Sequence, residues 1–167
     1  LTWEITPDGK IHAHITGNKN PEFPELPRFG VRMFLNKQAD QVTYYGMGPQ
    51  ESYCDKHQGA GHGWYRASVE EMHEDYIRPQ ENGSHYDCDY VEVADGQTGL
   101  AATGRAFSVN VSPYTQEELE RTAHNYELTE ADSTILCLDY ALNGIGSNSC
   151  GPEVAEPYRL DGENIDF

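Results

Sequence analysis

Twenty-eight aspartates and glutamates in 167 residues make carboxylate chemistry the first to weigh. Cleavage of a glycosidic bond needs two carboxyl groups, about 5–5.5 Å apart for retention or about 6.5–9.5 Å for inversion. Among so many acids some pairs meet that spacing by chance, so neighbouring sequence has to discriminate. Glu51 and Glu81 are the best local candidates, because they sit in the two most distinctive segments, Gly48-Pro49-Gln50-Glu51-Ser52-Tyr53-Cys54-Asp55 and Tyr76-Ile77-Arg78-Pro79-Gln80-Glu81-Asn82-Gly83. The competing reading, which we favour, is that each accepts backbone N–H bonds and pins a loop rich in glycine or proline.

Histidines raise two further possibilities. His85, Asp87 and Asp89 fall at i, i+2 and i+4 of an expected strand and would share one face able to hold a divalent cation. The favoured alternative is a solvated face opposite buried Tyr86, Cys88 and Tyr90. His12 and His14 repeat the spacing without a third ligand, which is too few for a structural zinc. His57 and His62 flank Gly59-Ala60-Gly61, and Trp64 follows. Together they could form a sugar-binding surface, since aromatic rings stack on the apolar face of a pyranose, although a loop held by inward packing of Trp64 is the favoured expectation. No G-x-S-x-G, Walker loop, dinucleotide fingerprint or H-E-x-x-H is present.

A net charge of −17 repels phosphate backbones and anionic membrane surfaces, so neither nucleic acid nor membrane is an expected partner. No run approaches the ~18 apolar residues of a membrane span, and the start lacks a signal-like pattern, which suggests a soluble chain. Four cysteines without C-x-x-C spacing are too sparse for a disulfide framework, so reduced thiols in the cytoplasm are the default.

The elements that must position these residues read as β. Trp3 and Ile5, then Ile11, Ala13 and Ile15, alternate around Pro7-Asp8-Gly9. Residues 18–27 form an irregular crossing, followed by alternating Phe29, Val31, Met33 and Leu35. Val42 and Tyr44 predict a short strand. Five glycines between Gly46 and Gly63 predict a long ordered loop, and residues 64–69 another strand. Further strands are expected around Tyr86–Tyr90, Phe107–Val111, Leu136–Tyr140 and, last, Ala155–Leu160. Thr115 and Glu118 fit a capping box for one helix near residues 115–126, with Leu119, Ala123 and Tyr126 as its buried stripe. The result is one all-β, mostly antiparallel domain over residues 1–167.

The two opening segments, with Phe107-Ser108-Val109-Asn110-Val111-Ser112-Pro113-Tyr114, Leu138-Asp139-Tyr140 and Gly144-Ile145-Gly146-Ser147-Asn148-Ser149-Cys150-Gly151-Pro152, resemble the C-terminal domain of the family 2 β-galactosidases in the family's order. The resemblance implies an antiparallel β-sandwich (supersandwich) similar to galactose mutarotase. It also implies that the catalytic carboxylates, with magnesium and sodium ligands, lie on a (β/α)₈ barrel elsewhere in the polypeptide. This chain is therefore expected to hold no catalytic residue, metal or cofactor of its own. In the family the Gly144-Ile145-Gly146 loop reaches the barrel's active-site mouth, and some members stack a tryptophan there. The equivalent position here is Cys150 and the loop is one residue shorter, leaving Asn148, Ser149 and Cys150 as candidate lining residues.

The expected role is completion of an active-site rim in a cytoplasmic, bacterial enzyme that hydrolyses terminal β-galactosides such as lactose with retention. The partners would be the barrel, the galactoside at the rim, and a second copy of the chain in a homodimer, because surfaces that meet the remainder of the sandwich would be open. The alternatives are a stand-alone carbohydrate-binding module and a mutarotase-like aldose epimerase. No His and Glu here match the latter's catalytic motif.

Overall fold

The computed structural model describes residues 1–146 and 152–167. Its centre is a six-stranded antiparallel sheet of β4 (Arg28–Asn36), β5 (Gln41–Gly48), β6 (Gly61–Ser68), β7 (Ser84–Ala94), β8 (Gly99–Ser112) and β9 (Ser133–Leu142), in the order β4-β9-β8-β7-β5-β6. Two small ribbons accompany it: β1 (Thr2–Ile5) with β2 (Ile11–His14), and β3 (Thr16–Asn18) with β10 (Asn164–Asp166). The architecture is the expected all-β antiparallel sandwich class, with no closed barrel among the described residues. Val42, Val91, Val93, Val109, Ile135 and Leu136 are fully buried, so the core lies on the central strands.

Several elements depart from the sequence expectation. Glycines 46 and 48 lie inside β5, and glycines 61 and 63 open β6, so the loop shrinks to residues 49–60. A Cβ on Gly46 would stand 2.2 Å from Cys88 Sγ, which makes that glycine a site of close approach rather than a loop signal. Ala155–Leu160 is not the last strand. Pro157 cannot donate to a ladder and sits in a 3₁₀ turn over Glu156–Tyr158, while β10 closes the chain.

The helix, α1 (Gln116–Arg121), is shorter than expected. Thr115 Oγ1 does accept from Glu118 N (3.2 Å), but Glu118 turns away to accept from Thr129 N (2.9 Å). Leu119 is buried, whereas Ala123 and Tyr126 are exposed beyond the helix end.

The expected faces of β7 are also wrong. Register shifts flank Cys88, and Asp87 (φ 55°) and Ala106 (φ 53°) take left-handed conformations where β7 meets β8. Each irregularity resets the alternation. His85 and Cys88 therefore both point inward, and Tyr86 and Tyr90 are only half-buried.

Candidate functional site

The connection from β5 to β6 gathers the distinctive residues. After the cis Gly48–Pro49 bond the chain turns along the start of β7, where Ser52 N donates to Ser84 O (2.7 Å) and Tyr86 N donates to Ser52 Oγ (2.9 Å). That clamp carries Glu51 inward, leaving its side chain 6% exposed. Its carboxylate accepts from Lys56 Nζ (2.5 Å), the Tyr76 hydroxyl, the Tyr53 hydroxyl (3.2 Å) and Gly83 N (3.0 Å). Burial alone would raise its pKa. The bonds from Lys56, Tyr76 and Gly83 outweigh burial and hold the carboxyl below the usual range.

Glu81 follows another logic. Its Oε2 accepts from Arg28 Nη1 (3.0 Å), and Arg28 also forks onto Asp139 through Nε (3.2 Å) and Nη2 (2.5 Å). Glu81 Oε1 is buried without a hydrogen-bond partner among the described residues. Burial, with repulsion from Asp139 and Glu51, exceeds the pull of Arg28 and raises the Glu81 carboxyl. Arg28 is itself driven above its ordinary value, because Asp139 and Glu81 outweigh its desolvation.

A hydrolytic pair needs one carboxyl with a free lone pair and another free to deliver a proton to a bound sugar. Glu51 has its oxygens occupied by four donors, Glu81 is tied to Arg28 with its other oxygen shut away from solvent, and neither lines the cleft beside Thr43 or the one beside Tyr114. The favoured loop-pinning reading therefore holds for Glu51 directly, through Gly83 N. Glu81 differs from it, since its partner is the Arg28 side chain.

The same connection holds the turn that leads toward residues 147–151. Asp55 accepts from Ile145 N (3.1 Å) and Gly146 N (2.7 Å), and Gly144 N donates to Tyr158 O (2.7 Å). A Cβ on Gly144 would lie 2.8 Å from Asp55 Oδ2, so glycine is required for the carboxylate to reach both amides. Leu160 N donates to Asn143 Oδ1 (2.8 Å), tying the returning segment to the same turn. Asn148, Ser149 and Cys150, the candidate lining residues, lie outside the described residues.

The metal candidates separate. His85 is 2% exposed, bonded through Nδ1 to Met47 O (3.1 Å), and burial pushes its imidazole down to about 4. Asp89 accepts from Ala106 N (3.0 Å), and His14 pairs with Asp166 (2.6 Å). Among the described residues no three His, Cys, Asp or Glu are grouped to hold a metal ion. Cys54, Cys88 and Cys137 are free thiols. No described helix is long and apolar enough to cross a membrane.

Trp64 overturns its expected inward packing: it is 63% exposed, its ring 5.1 Å from Tyr45 and 5.3 Å from Tyr90. Sequence reasoning also missed Arg28, Asp139 and the tether made by Asp55. Asp139 gave a usable signal, being an acid inside the apolar run Leu136–Tyr140, where burial demands a cationic partner.

Comparison with known proteins places the chain in a family. The family described as "Beta galactosidase small chain" matches residues 1–167. The chain is 47% identical over 160 residues to a β-galactosidase of Actinobacillus pleuropneumoniae, covering 96% of this chain and 16% of that protein. It is 40% identical to one of Staphylococcus xylosus, covering 100% and 17%. A β-galactosidase of Kluyveromyces lactis is 32% identical, with 92% and 15% covered. The chain thus spans about one sixth of the length of these relatives, and it belongs to the β-galactosidase small-chain family.

Proposed function

We infer that this chain is the non-catalytic C-terminal sandwich portion of a β-galactosidase, completing the rim of an active site built by the rest of the enzyme. The reaction of the whole would be hydrolysis of terminal β-galactosides such as lactose, with retention, in the cytoplasm. Its acid, nucleophile and magnesium and sodium ligands would lie on the barrel. The observation that carries this reading is the Asp55 tether, in which one half-buried carboxylate holds the backbone amides of Ile145 and Gly146.

Surface area supports a partner. The chain exposes 10323 Å², whereas a compact monomer of 18.7 kDa exposes about 8,300 Å². The excess of about 2,000 Å² is the size of a full protein–protein interface. Part of it is the β1–β2 hairpin, whose Leu1, Trp3, Ile5 and Ile11 all face solvent. With the rest of the enzyme absent, the same surface would favour self-association, more so as salt screens the charge.

The test is complementation. A polypeptide carrying the remaining five-sixths of a relative, inactive alone, should gain β-galactosidase activity when this chain is added. Asp55→Ala should raise KM more than it lowers assembly, since the tether positions a rim rather than an interface. Full activity of the larger piece without this chain would refute the rim role.

A further inference from the structure

We propose that the outward face of β6-β5-β7 is a carbohydrate-binding surface that takes a neutral pyranoside. Strand register places two unlike rows side by side there. Trp64, Tyr45 and Tyr90 are cross-strand neighbours in one row, with His62 edge-on to Tyr45 at 4.7 Å. The next row is Arg66, Thr43 and Glu92, again in direct register. Alternation fixes the orientation, because Val42 and Tyr44 are buried and residues 43 and 45 point the other way.

The polar row lines a shallow cleft of about 610 Å³, which also includes Gln41 and Gln97, and such volumes are typical of small-molecule sites, roughly 300–1,000 Å³. Its groups are unspent. Among the described residues Glu92 takes only a long bond from Tyr90 (3.4 Å), and Arg66 makes no salt bridge although Glu92 stands two strands away.

The chemistry selects the ligand. An indole side chain this exposed offers a π face to the apolar C–H face of a sugar ring. An adjacent guanidinium, hydroxyl and carboxylate, one on each of three neighbouring strands about 4.8 Å apart, supply donors and acceptors for hydroxyls spread around a sugar ring. An anionic ligand is disfavoured by the −17 charge. A protein partner would have to desolvate Arg66 and Glu92 unpaired beside an aromatic row one ring wide. This inference stands apart from the rim reading, since it uses none of the residues of the 143–146 turn.

Saturation-transfer NMR with lactose, using sorbitol as a control polyol lacking a pyranose ring, tests it on this chain. Transfer to lactose should saturate with a dissociation constant on the order of millimolar, as expected for a small, shallowly bound ligand. Trp64→Ala should weaken it about tenfold, and Arg66→Ala and Glu92→Gln each about threefold. In Trp3→Phe protein, where Trp64 is the sole tryptophan, lactose should shift the indole emission with the same midpoint. Lack of transfer to lactose, equal transfer to sorbitol, or unchanged binding in both Arg66→Ala and Glu92→Gln protein would overturn the proposal. So would a Trp64 shielded from acrylamide in a full-length enzyme without sugar, because the face would then be an interface.

Discussion

Glu51 and Glu92 are both acidic side chains close to β5, and their circumstances are opposite. Glu51 is buried under four donors, from two tyrosines, a lysine and a backbone amide. Glu92 lies on an open face with one long contact and an unpaired arginine near it. In an acid-rich chain the presence of a carboxylate therefore says little, and the state of its lone pairs says much. Spent groups around residues 49–60 build a scaffold for a neighbouring turn, and unspent groups on β6-β5-β7 are free for a ligand.

The sharpest way to break this contrast is to remove the spent carboxylate. Glu51→Ala strands the buried Tyr53 hydroxyl and Gly83 amide, releases the exposed Lys56 to water, and should cost about 3–5 kcal/mol in urea unfolding, whereas Glu92→Ala should cost less than about 0.5 kcal/mol. Equal losses would erase the distinction.

Acid should act on the buried side next. His85 is neutral in the folded state with its pKa near 4, against about 6.5 unfolded. Above pH ~6.5 both states are neutral. Between there and pH ~4 the unfolded chain binds the extra proton, so stability falls by about 3 kcal/mol as pH drops. Glu51 adds loss in the same direction through the carboxylate range, because its folded pKa is depressed. His85→Gln protein should show a flatter pH dependence of urea midpoints over this window.

A smaller effect is expected at Gly83, whose φ of 68° lies in the left-handed region and whose added Cβ would meet Met72 O at 2.2 Å. Gly83→Ala should cost about 2–3 kcal/mol and displace the amide that serves Glu51. Trp64→Ala should be milder again, within about 1 kcal/mol by thermal melting, because the side chain it removes is mostly in water.

Much of this was legible in the sequence. Alternation found β1, β2, β4 and the hearts of β5, β7, β8 and β9, and Thr115 correctly marked a helix start. The failures share a cause. Gly46 and Gly48 look like loop residues until the neighbouring Cys88 and Tyr44 are known, and the faces of β7 depend on bulges set by its pairing with β8. Both are long-range facts. The Asp55 tether spans 90 residues of sequence, and the Arg28–Asp139 fork spans 111, so neither spacing is visible locally. Trp64 was misjudged because hydrophobicity was read as burial, although large aromatics on a sheet's outer face are common where ligands or partners bind.

The central claim, that Glu51 and Glu81 serve architecture rather than hydrolysis, is tested most directly by assaying the purified chain alone against a chromogenic β-galactoside. The account predicts no turnover above buffer, with the urea midpoint falling in Glu51→Gln protein and no activity to lose. Turnover by the wild-type chain that disappears in Glu51→Gln or Glu81→Gln protein while the fold survives would contradict it.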